Sequence, residues 1–352
     1  MSLAESPLAG PLLVLDPDAI EAFCHRTDQV RPLVDLLRAE TCGALATLGD
    51  DDVGYLRGHA YEHARCHVAM REGIAVGIAQ TWEPSDREVL LMNLAVAPAA
   101  RRLGYGRALV AAALSEAARG GRRSVAGDGL EGSTATAAFA ASLGATTALT
   151  YQVSALSLSR VSWEHTERLR RRGHERHPEL TLVFAESCYA DTVLENAVRV
   201  RAYMNTAPRE RYQRPDDSLG PAAMLGKQRA WEAEGRTHWT LFAARADGEF
   251  IAFTDLLWRS DRPRTVFYQQ TAVSPEWRRR GVAEWLKAEM LTRLRELPGA
   301  REVRTANVVS NVGIARINQG LGFVPVSRHV KWQLPVPNHD RLGTVSNAPP
   351  VG

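Results

Sequence analysis

The sequence has few cysteines, no long apolar run and little net charge. Only 4 cysteines occur in 352 residues, and none stands in a Cys-x-x-Cys or Cys/His spacing, so neither a disulfide framework nor a metal site is predicted. No uninterrupted apolar span reaches the roughly 18 residues of a membrane helix, and residues 1–10 lack the features of a signal peptide. These absences predict a soluble, cytoplasmic protein with reduced thiols and no membrane partner.

The net charge of +3 gives no reason to expect nucleic acid as a partner. One arginine-rich stretch, Trp163–His177, is interrupted by Glu164, Glu167 and Glu175, which favours a linker between domains over a nucleic-acid arm. A composition with 45% hydrophobic and 24% charged residues is ordinary for a globular protein. The length predicts about two domains.

A segment of the second half repeats one in the first. Thr271–Ala283 matches Leu94–Gly106, 177 residues earlier, with Ala, Val, Pro, Arg, Arg and Gly at corresponding positions. Each copy predicts a β-strand stopped by proline, a basic turn that contains glycine, and an apolar-periodic helix. The predicted helices are Ala108–Ala118 and Glu284–Leu297.

A strand, a turn and a helix in this order form a site for an anion. Backbone N–H groups at the helix start have no partner within the helix, and the helix dipole favours negative charge there. Small residues at Gly104, Gly106, Gly281 and Ala283 leave room for a phosphate. The pattern therefore predicts a pyrophosphate site in each copy.

The two turns resemble the acetyl-CoA loop of the GNAT N-acetyltransferase superfamily, which reads Arg/Gln-x-x-Gly-x-Gly/Ala after a strand. Arg101-x-x-Gly104-x-Gly106 and Arg278-x-x-Gly281-x-Ala283 both satisfy this motif. The resemblance implies an α/β (mixed α+β) protein of two tandem GNAT folds, each a mixed, mostly antiparallel twisted sheet flanked by helices. It also implies acetyl-CoA, or another acyl-CoA, as cofactor, bound by Leu94, Val96, Arg101, Arg102, Leu103, Gly104, Tyr105, Gly106, Arg107, Thr271, Val273, Arg278, Arg279, Arg280, Gly281, Val282, Ala283, Asn307 and Asn311.

The resemblance covers most of the chain as two copies. It implies an N-terminal GNAT domain at 1–161, a linker at 162–178 and a C-terminal GNAT domain at 179–336. A tail at 337–352, rich in Pro, Asn and Gly, is expected to be disordered.

The copies differ in the helix that carries the family's general acid. The second copy reads Asn311-x-x-Ile314-x-x-Ile317-Asn318-x-x-Leu321-Gly322-Phe323, with Asn318 where the family has a proton-donating Tyr. An amide can donate a hydrogen bond but cannot deliver a proton as a phenol can. With Thr305-x-Asn307 upstream, this copy resembles tandem GNAT proteins similar in layout to mycothiol synthase. The first copy, beginning at Ser133, has lost the Asn, the Tyr and the Phe.

A general base is also needed to take a proton from an amine. Neither copy has an acid on the strand before the phosphate turn, but Asp255 on the neighbouring strand has no acidic counterpart in the first half, where Gln80 stands. We therefore expect Asp255 and Asn318 to be the catalytic residues. A structural role for Asp255, and a helix-capping role for the asparagines, stay open.

Together these features predict an acyl-CoA-dependent N-acyltransferase that acts on a small-molecule amine by direct attack on the thioester. Chemistry is expected in the second half, and a CoA with a structural role in the first. The chain would act as a monomer or homodimer. Two alternatives remain: a CoA-binding sensor or accessory protein without turnover, and a protein or peptide N-acetyltransferase.

Overall fold

The computed structural model describes residues 12–15, 19–20, 23, 30–40, 64–83, 88–216 and 218–337. The first half contributes β1 (Leu12–Leu15), α1 (Val30–Glu40), β2 (Arg65–Arg71), β3 (Ile74–Trp82), β4 (Val89–Val96), α2 (Tyr105–Arg119), β5 (Ser124–Leu130), α3 (Thr134–Ser142) and β6 (Thr146–Ser157). The predicted tail lies, beyond residue 337, outside the described residues.

Helix α4 (Trp163–Arg176) falls within the predicted linker and leads to the second half. That half contributes β7 (Thr181–Glu186), α5 (Asp191–Arg201), α6 (Pro221–Ala233), β8 (Arg236–Ala244), β9 (Phe250–Arg259), β10 (Thr265–Val273), α7 (Val282–Arg295), β11 (Glu302–Val308), α8 (Val312–Gly320) and β12 (Val324–Pro335). Both predicted turn-to-helix connections are present, at α2 and at α7.

All twelve described strands belong to one sheet, in the order β1-β2-β3-β4-β5-β12-β6-β11-β10-β9-β8-β7. Only the pairs β4/β5 and β10/β11 are parallel, and the other pairs are antiparallel. The predicted fold class, a mixed and mostly antiparallel sheet flanked by helices, is confirmed.

The last strands of the two halves are exchanged. Strand β12, from the end of the second half, lies between β5 and β6 of the first half, with Val330 opposite Gly129 on one side and Thr150 on the other. Strand β6 in turn pairs with β11 of the second half. Each half therefore supplies a strand to the other's part of the sheet, a pairing that the sequence analysis did not predict.

The second half has the larger core. Strand β9 is buried along nearly its whole length, and within its apolar run Leu256–Trp258 the residues Leu256 and Trp258 share a core cluster with Trp285 and Leu286 of α7, while Leu257 lines a cavity. Such a run without alternation is typical of a strand covered on both faces. Within the described ranges, no helix is long and apolar enough to cross a membrane, and no cluster of three metal-binding side chains occurs.

Candidate functional site

The two predicted phosphate turns have the same backbone conformation. Gly104 and Gly281, which precede α2 and α7, have φ of 91° and 89°, and Arg102 and Arg279 have φ of 67° and 60°. Glycine adopts a positive φ easily, whereas other residues adopt it at a cost in free energy. This conformation explains why each motif has glycine at this position. In the part of the chain that the structure describes, no side chain caps either helix, which leaves the first N–H groups of each available to an anion.

The first arginine of each motif is bonded to its own strand. Arg101 Nε donates to the carbonyl of Val96 at 3.1 Å, and Arg278 Nε donates to that of Val273 at 3.0 Å. These guanidinium groups close the turn on the strand end, so they hold the shape of the site as well as adding positive charge. This shared contact extends the repeat from sequence to side-chain geometry.

An open cleft adjoins the first turn. Strands β4 and β5 pair only from Val89 to Met92, and beyond Met92 they are no longer paired. A cavity of about 650 Å³ lies there, and its wall includes Trp332 and Leu334 from the exchanged strand β12. Eight of the nine predicted CoA-binding residues of the first half line it: Leu94, Val96, Arg101, Arg102, Leu103, Gly104, Gly106 and Arg107.

The side chains of Arg107 and Tyr105 lie in different surroundings. Arg107 lines the cleft and its Nη2 donates to the carbonyl and hydroxyl oxygens of Ser142, both at 3.2 Å. The side chain of Tyr105 is buried in the core, so only its backbone N–H can contact a ligand. A Cβ added at Gly106 would lie 3.1 Å from Phe139, so the motif's last glycine also permits close packing with α3.

The second half has the same strand opening with one addition. Strands β10 and β11 pair from Thr265 to Tyr268 and not beyond, and an extra residue between Tyr268 and Thr271 makes a β-bulge against β9. Strands β3 and β4 pair without any register shift. Bulges often occur beside active sites, where they re-aim backbone groups.

The other predicted residues of the second turn are divided between core and surface. Val273 and Val282 belong to the buried core, whereas Arg279 and Arg280 are exposed. The hydroxyl groups of Thr271 and Thr254 are hydrogen-bonded to each other at 2.8 Å. In this turn too, the backbone N–H groups are available to a phosphate, but not all of the predicted side chains are.

The linker supports this turn. His177 Nε2 lies 3.0 Å from the carbonyl oxygen of Arg280, and its ring packs between Trp277 and Trp285 at centroid distances of 5.9 Å and 6.0 Å. The turn of the second half is therefore held from outside the GNAT repeat. No pattern in the sequence indicated this contact.

A second cavity, of about 360 Å³, lies on the α5 and α6 side of the sheet beside the bulge. Its wall consists of Val198, Arg199, Arg201, Ala202, Ser218, Leu219, Gly220, Met224, Lys227, Trp231, Asp255, Leu257, Gln269 and Gln270. Asp255 and the bulge residues Gln269 and Gln270 line the same space. We call it the acceptor-side cavity.

Asp255 is buried, with 1% exposure, among donors. Arg201 Nη2 donates to its Oδ2 at 2.8 Å, His238 Nε2 lies 3.2 Å from the same oxygen, and the backbone N–H of Gln270 donates to Oδ1 at 2.6 Å. Arg201 also donates to Gln270 Oε1 at 2.9 Å and to the hydroxyl of Tyr189 at 2.5 Å. Both carboxylate oxygens are occupied.

Burial alone would raise the pKa of Asp255, but Arg201 and His238 outweigh it and lower the pKa to about 2. For His238 burial prevails, and its pKa is lowered. A carboxylate held charged by an arginine is a weak proton acceptor, so this geometry favours an anchor for the bulge over the expected general base. The base role stays a prediction. Sequence reasoning missed Arg201 and His238, which come from other elements.

A buried lysine lies near the second strand opening. Lys287 is 1% exposed, and its Nζ is 3.5 Å from the ring centroid of Tyr268 and 5.9 Å from that of Phe323. Burial lowers its pKa to about 7, although Asp255 raises it slightly. Val110, at the corresponding repeat position, lines the first cleft. Its position inside the apolar run of α7 was the sequence signal that could have identified Lys287 as a buried lysine.

The predicted asparagines form two separate contacts. Asn311 caps α8 by accepting from the N–H of Ile314 at 3.4 Å, and Ser133 caps α3 in the same way at 3.3 Å. Asn318 Nδ2 donates to Asn307 Oδ1 at 2.7 Å, and within the described part of the chain Asn318 Oδ1 has no partner. Asn318 is therefore a buried amide fixed to β11 with one acceptor left over.

Two copies of a phosphate-binding turn, each beside a parallel strand pair that opens, define an acyl-CoA-dependent transferase fold. Two family models match the chain: the acetyltransferase (GNAT) family at residues 199–323 and the acetyltransferase (GNAT) domain at residues 62–144. Together the matches span more than half of the chain. The chain belongs to the GNAT N-acetyltransferases and carries two GNAT domains in tandem, so these two predictions are confirmed.

Solved structures show the same fold along nearly the whole chain. A tandem GNAT protein from the clavulanic acid biosynthesis pathway is 21% identical, with 93% of this chain and 99% of that one covered and a TM-score of 0.63. A GCN5-related N-acetyltransferase from Sphaerobacter thermophilus is 16% identical, with 92% and 96% covered and a TM-score of 0.60. No curated protein matches the sequence. At these identities the likeness establishes the fold alone.

Proposed function

We propose that this protein transfers an acyl group, in the first instance acetyl, from acyl-CoA to a small-molecule amine, and that its second half performs the chemistry. The observation that carries this proposal is the combination of a phosphate turn, a β-bulge and an adjacent cavity around Asp255 and Arg201. GNAT proteins use an acyl-CoA as co-substrate, which supports the donor. The cavity of about 360 Å³ suits a small acceptor.

The proposed mechanism uses three parts of the second half: the start of α7, the end of β10 and the acceptor-side cavity. The free N–H groups at the start of α7 hold the pyrophosphate, and the unpaired end of β10 accompanies the pantetheine chain. The amine enters through the acceptor-side cavity and attacks the thioester carbonyl directly, while a backbone N–H near Val273 stabilises the oxyanion. Acyl-CoA supplies the activated carbonyl.

Asp255 and Asn318 are the proposed residues of the reacting centre. Asp255 holds the N–H of Gln270 and the guanidinium of Arg201, which fixes the bulge beside the acceptor. Asn318 carries an amide where the family's phenol stands and can donate a hydrogen bond to the departing sulfur if it releases Asn307. With no phenol there, the thiolate would take its proton from water, and the attacking amine would release its own proton to water.

For the first half we propose CoA binding without chemistry. Its cleft of about 650 Å³ contains a complete phosphate turn. At the position of Asp255 it has Gln80, which is 4% exposed and accepts from Asn93 Nδ2 at 3.2 Å. A neutral amide pair provides no carboxylate to anchor a bulge, and β3 and β4 pair without one.

The assignment is tested by charge placed in each turn. Gly281→Glu should abolish thiol release from acetyl-CoA in an amine panel, whereas Gly104→Glu should remove a CoA-sized adduct in native mass spectrometry and lower thermal stability. Gly281→Ala and Gly104→Ala are matched controls, because they carry the same positive-φ strain without the carboxylate. Normal turnover in Gly281→Glu with loss in Gly104→Glu would reverse the assignment of the halves.

A second candidate is a CoA-binding sensor without turnover. Asn318 in place of a proton donor favours it. CoA binding to both halves, with no thiol release for any amine of the panel, would support this candidate and exclude the transferase.

A further inference from the structure

The linker helix α4 ends beside the second phosphate turn. Arg176 is its last residue, and a Cβ added at Gly281 would lie 3.8 Å from Arg176 Nη1. The next residue fixes this position, because His177 Nε2 lies 3.0 Å from the carbonyl oxygen of Arg280. The guanidinium of Arg176, which belongs to neither GNAT motif, therefore lies at the start of α7, where the first N–H groups face no capping side chain in the described ranges.

The guanidinium of Arg176 is not engaged by the protein. Its side chain is exposed, and it has no hydrogen bond or ion pair in the part of the chain that the structure describes. Two other arginines of α4 differ, since Arg168 pairs with Glu164 and Arg170 pairs with Glu289. A guanidinium presents five N–H donors in a rigid fork that matches the oxygens of a phosphate. These donors are available to an anion that binds at the turn.

Two acids close to the turn are directed elsewhere. The Oε1 atom of Glu284, in the first turn of α7, lies 4.0 Å from the position of a Cβ added at Gly320 on α8. Glu179 Oε1 lies 3.6 Å from Nδ1 of His177. Among the described residues, no carboxylate is within ion-pair distance of Arg176. Its positive charge is therefore not offset by a neighbouring acid.

The second turn is also more cationic than the first. Arg280 stands where the first turn has Leu103, and its guanidinium carbon lies 5.2 Å from the ring centroid of Trp277. The start of a helix carries only about half an elementary positive charge. A CoA molecule carries several negative charges on its diphosphate and its 3′-phosphate, so cationic side chains at the turn would balance charge that the helix start leaves over.

We propose that Arg176 binds a phosphate of acyl-CoA at the second turn, so that the segment between the two GNAT domains forms part of the donor site. The inference rests on the proposed function and adds to it a binding residue from outside the repeat. The phosphate belongs either to the diphosphate or to the 3′-phosphate of the same molecule. The contact has the same chemistry in both cases.

Calorimetric titration with CoA in the Gly104→Glu background measures the second site alone. Arg176→Met should raise the Kd by about 5- to 20-fold, because a charge-assisted hydrogen bond is lost. Arg176→Lys should recover part of the affinity, since it keeps the charge without the planar fork. The loss should shrink at high salt, which screens contacts between exposed charges. An unchanged Kd in Arg176→Met overturns the proposal.

Arg171→Met is the matched control. Arg171 is exposed on the same helix and also lacks an ion pair in the described ranges, so the substitution removes the same charge. It lies five residues earlier, which is about 7.5 Å along the helix axis. Its Kd should stay within about twofold of the parent value. An equal loss in both variants would show a general effect of net charge and would contradict the contact.

The compound 3′-dephospho-CoA separates the two phosphates. If Arg176 contacts the 3′-phosphate, Arg176→Met should leave the Kd for 3′-dephospho-CoA unchanged while it weakens CoA. If Arg176 contacts the diphosphate, the variant should weaken both compounds by the same factor. Either result supports the proposal, and equal Kd values of parent and variant for both compounds refute it.

Thiol release keeps this inference distinct from the proposed function. With acetyl-CoA and an accepted amine, Arg176→Met should raise the KM for acetyl-CoA by about 5- to 20-fold and leave kcat within about threefold. CoA binding that weakens in Arg176→Met, without thiol release for any amine, supports the contact and refutes catalysis. Turnover with an unchanged KM for acetyl-CoA in Arg176→Met refutes the contact alone.

Discussion

Two buried charged side chains of the second half are partnered in opposite ways. Asp255 is surrounded by Arg201, His238 and the N–H of Gln270, whereas no hydrogen bond or ion pair of Lys287 Nζ occurs in the described ranges, where it contacts aromatic rings. The first arrangement stabilises a charge, and the second disfavours one. These two residues therefore give opposite responses to pH.

Asp255→Asn separates the base role from the anchoring role. A lost base lowers turnover by about 10²- to 10⁴-fold at pH 7 and recovers part of it at higher pH, where free amine is plentiful. A lost anchor lowers turnover without that recovery. It also destabilises the protein by roughly 3–5 kcal/mol, because Arg201 is left buried and unpaired. We expect the second pattern in rate profiles and urea unfolding.

The double variant Asp255→Leu/Arg201→Met controls for the unpaired charge. With both charges removed, most of the stability lost in Asp255→Asn should return. The low pKa of Asp255 means that its contribution to stability is present above about pH 4, the ordinary pKa of Asp, and is lost as pH falls towards 2. An Asp255→Asn variant that is as stable as the parent at pH 7 would contradict this account.

Lys287→Met should stabilise the protein most at low pH. The pKa of Lys287 is lowered to about 7, so between about pH 7 and 10.5 the unfolded chain binds more protons, and the parent gains stability as pH rises. Below pH 7 the buried charge costs on the order of a few kcal/mol, which methionine avoids. Urea unfolding at pH 6 and pH 9 measures the difference.

Leu286→Met is the control for Lys287→Met. Leu286 is fully buried next to Lys287, and the substitution changes packing without changing charge, so its effect should not depend on pH. A stability difference of Lys287→Met that is the same at both pH values would show that Lys287 binds its proton equally in the folded and unfolded states, which contradicts a lowered pKa.

At the scale of elements, α4 is bound firmly to the second half. Arg170 Nε and His174 Nε2 each lie 2.9 Å from a carboxylate oxygen of Glu289 on α7. A Cβ added at Gly173 would lie 2.1 Å from the indole of Trp285, so the helices approach too closely for any other residue. The predicted linker is thus a packed helix that reaches the phosphate turn through His177.

Gly173→Ala should therefore destabilise the protein. The clash forces Trp285 or the helix to move, which typically costs about 1–3 kcal/mol or more. Gly226→Ala is the matched control, since it also lies within a helix but has nothing within 4 Å of the added Cβ. It should be neutral or stabilising by about 0.5–1 kcal/mol. Equal effects of both variants in thermal unfolding would contradict close packing of α4.

At the scale of the whole molecule, the exchanged strands join the two clefts. Strand β12 follows directly after α8 and the Leu321–Phe323 turn, beside the second strand opening, and then lines the first cleft with Trp332 and Leu334. The loop before α6 is also attached to this strand by two hydrogen bonds. The backbone N–H of Gln213 donates to Gln333 Oε1, and Gln333 Nε2 donates to the backbone carbonyl of Gln213. The first cleft is therefore not built by its own half alone.

Trp332→Ala should weaken CoA binding in the first half, although Trp332 comes from the end of the second. Loss of this wall is expected to lower affinity by about tenfold or more, since aromatic groups in a pocket commonly contribute over 1 kcal/mol. Val326→Ala, on the exposed start of the same strand, is the control. Calorimetric titration with CoA in the Gly281→Glu background isolates the first site, and unchanged affinity would refute the shared wall.

Local sequence determined much of this protein. The repeated Val-x-Pro strand end, the glycines at positive φ and the helix that follows specify each phosphate turn through contacts within a few residues, so Gly104 and Gly281 could be identified without a structure. The apolar periodicity likewise predicted the helices that follow the two turns, which are observed as α2 (Tyr105–Arg119) and α7 (Val282–Arg295), because burial on one face sets the period of each.

Only the tertiary structure decided which segments meet. The exchange of β6 and β12 depends on pairing between segments that are well over 100 residues apart, and a strand's own pattern does not name its neighbour. The partners of Asp255 come from α5, β8 and β10, so its low pKa and its anchored state could not follow from the local sequence. The wall of the acceptor-side cavity has the same origin, since α5, α6, β9 and β10 contribute its charged and polar side chains only after they pack together.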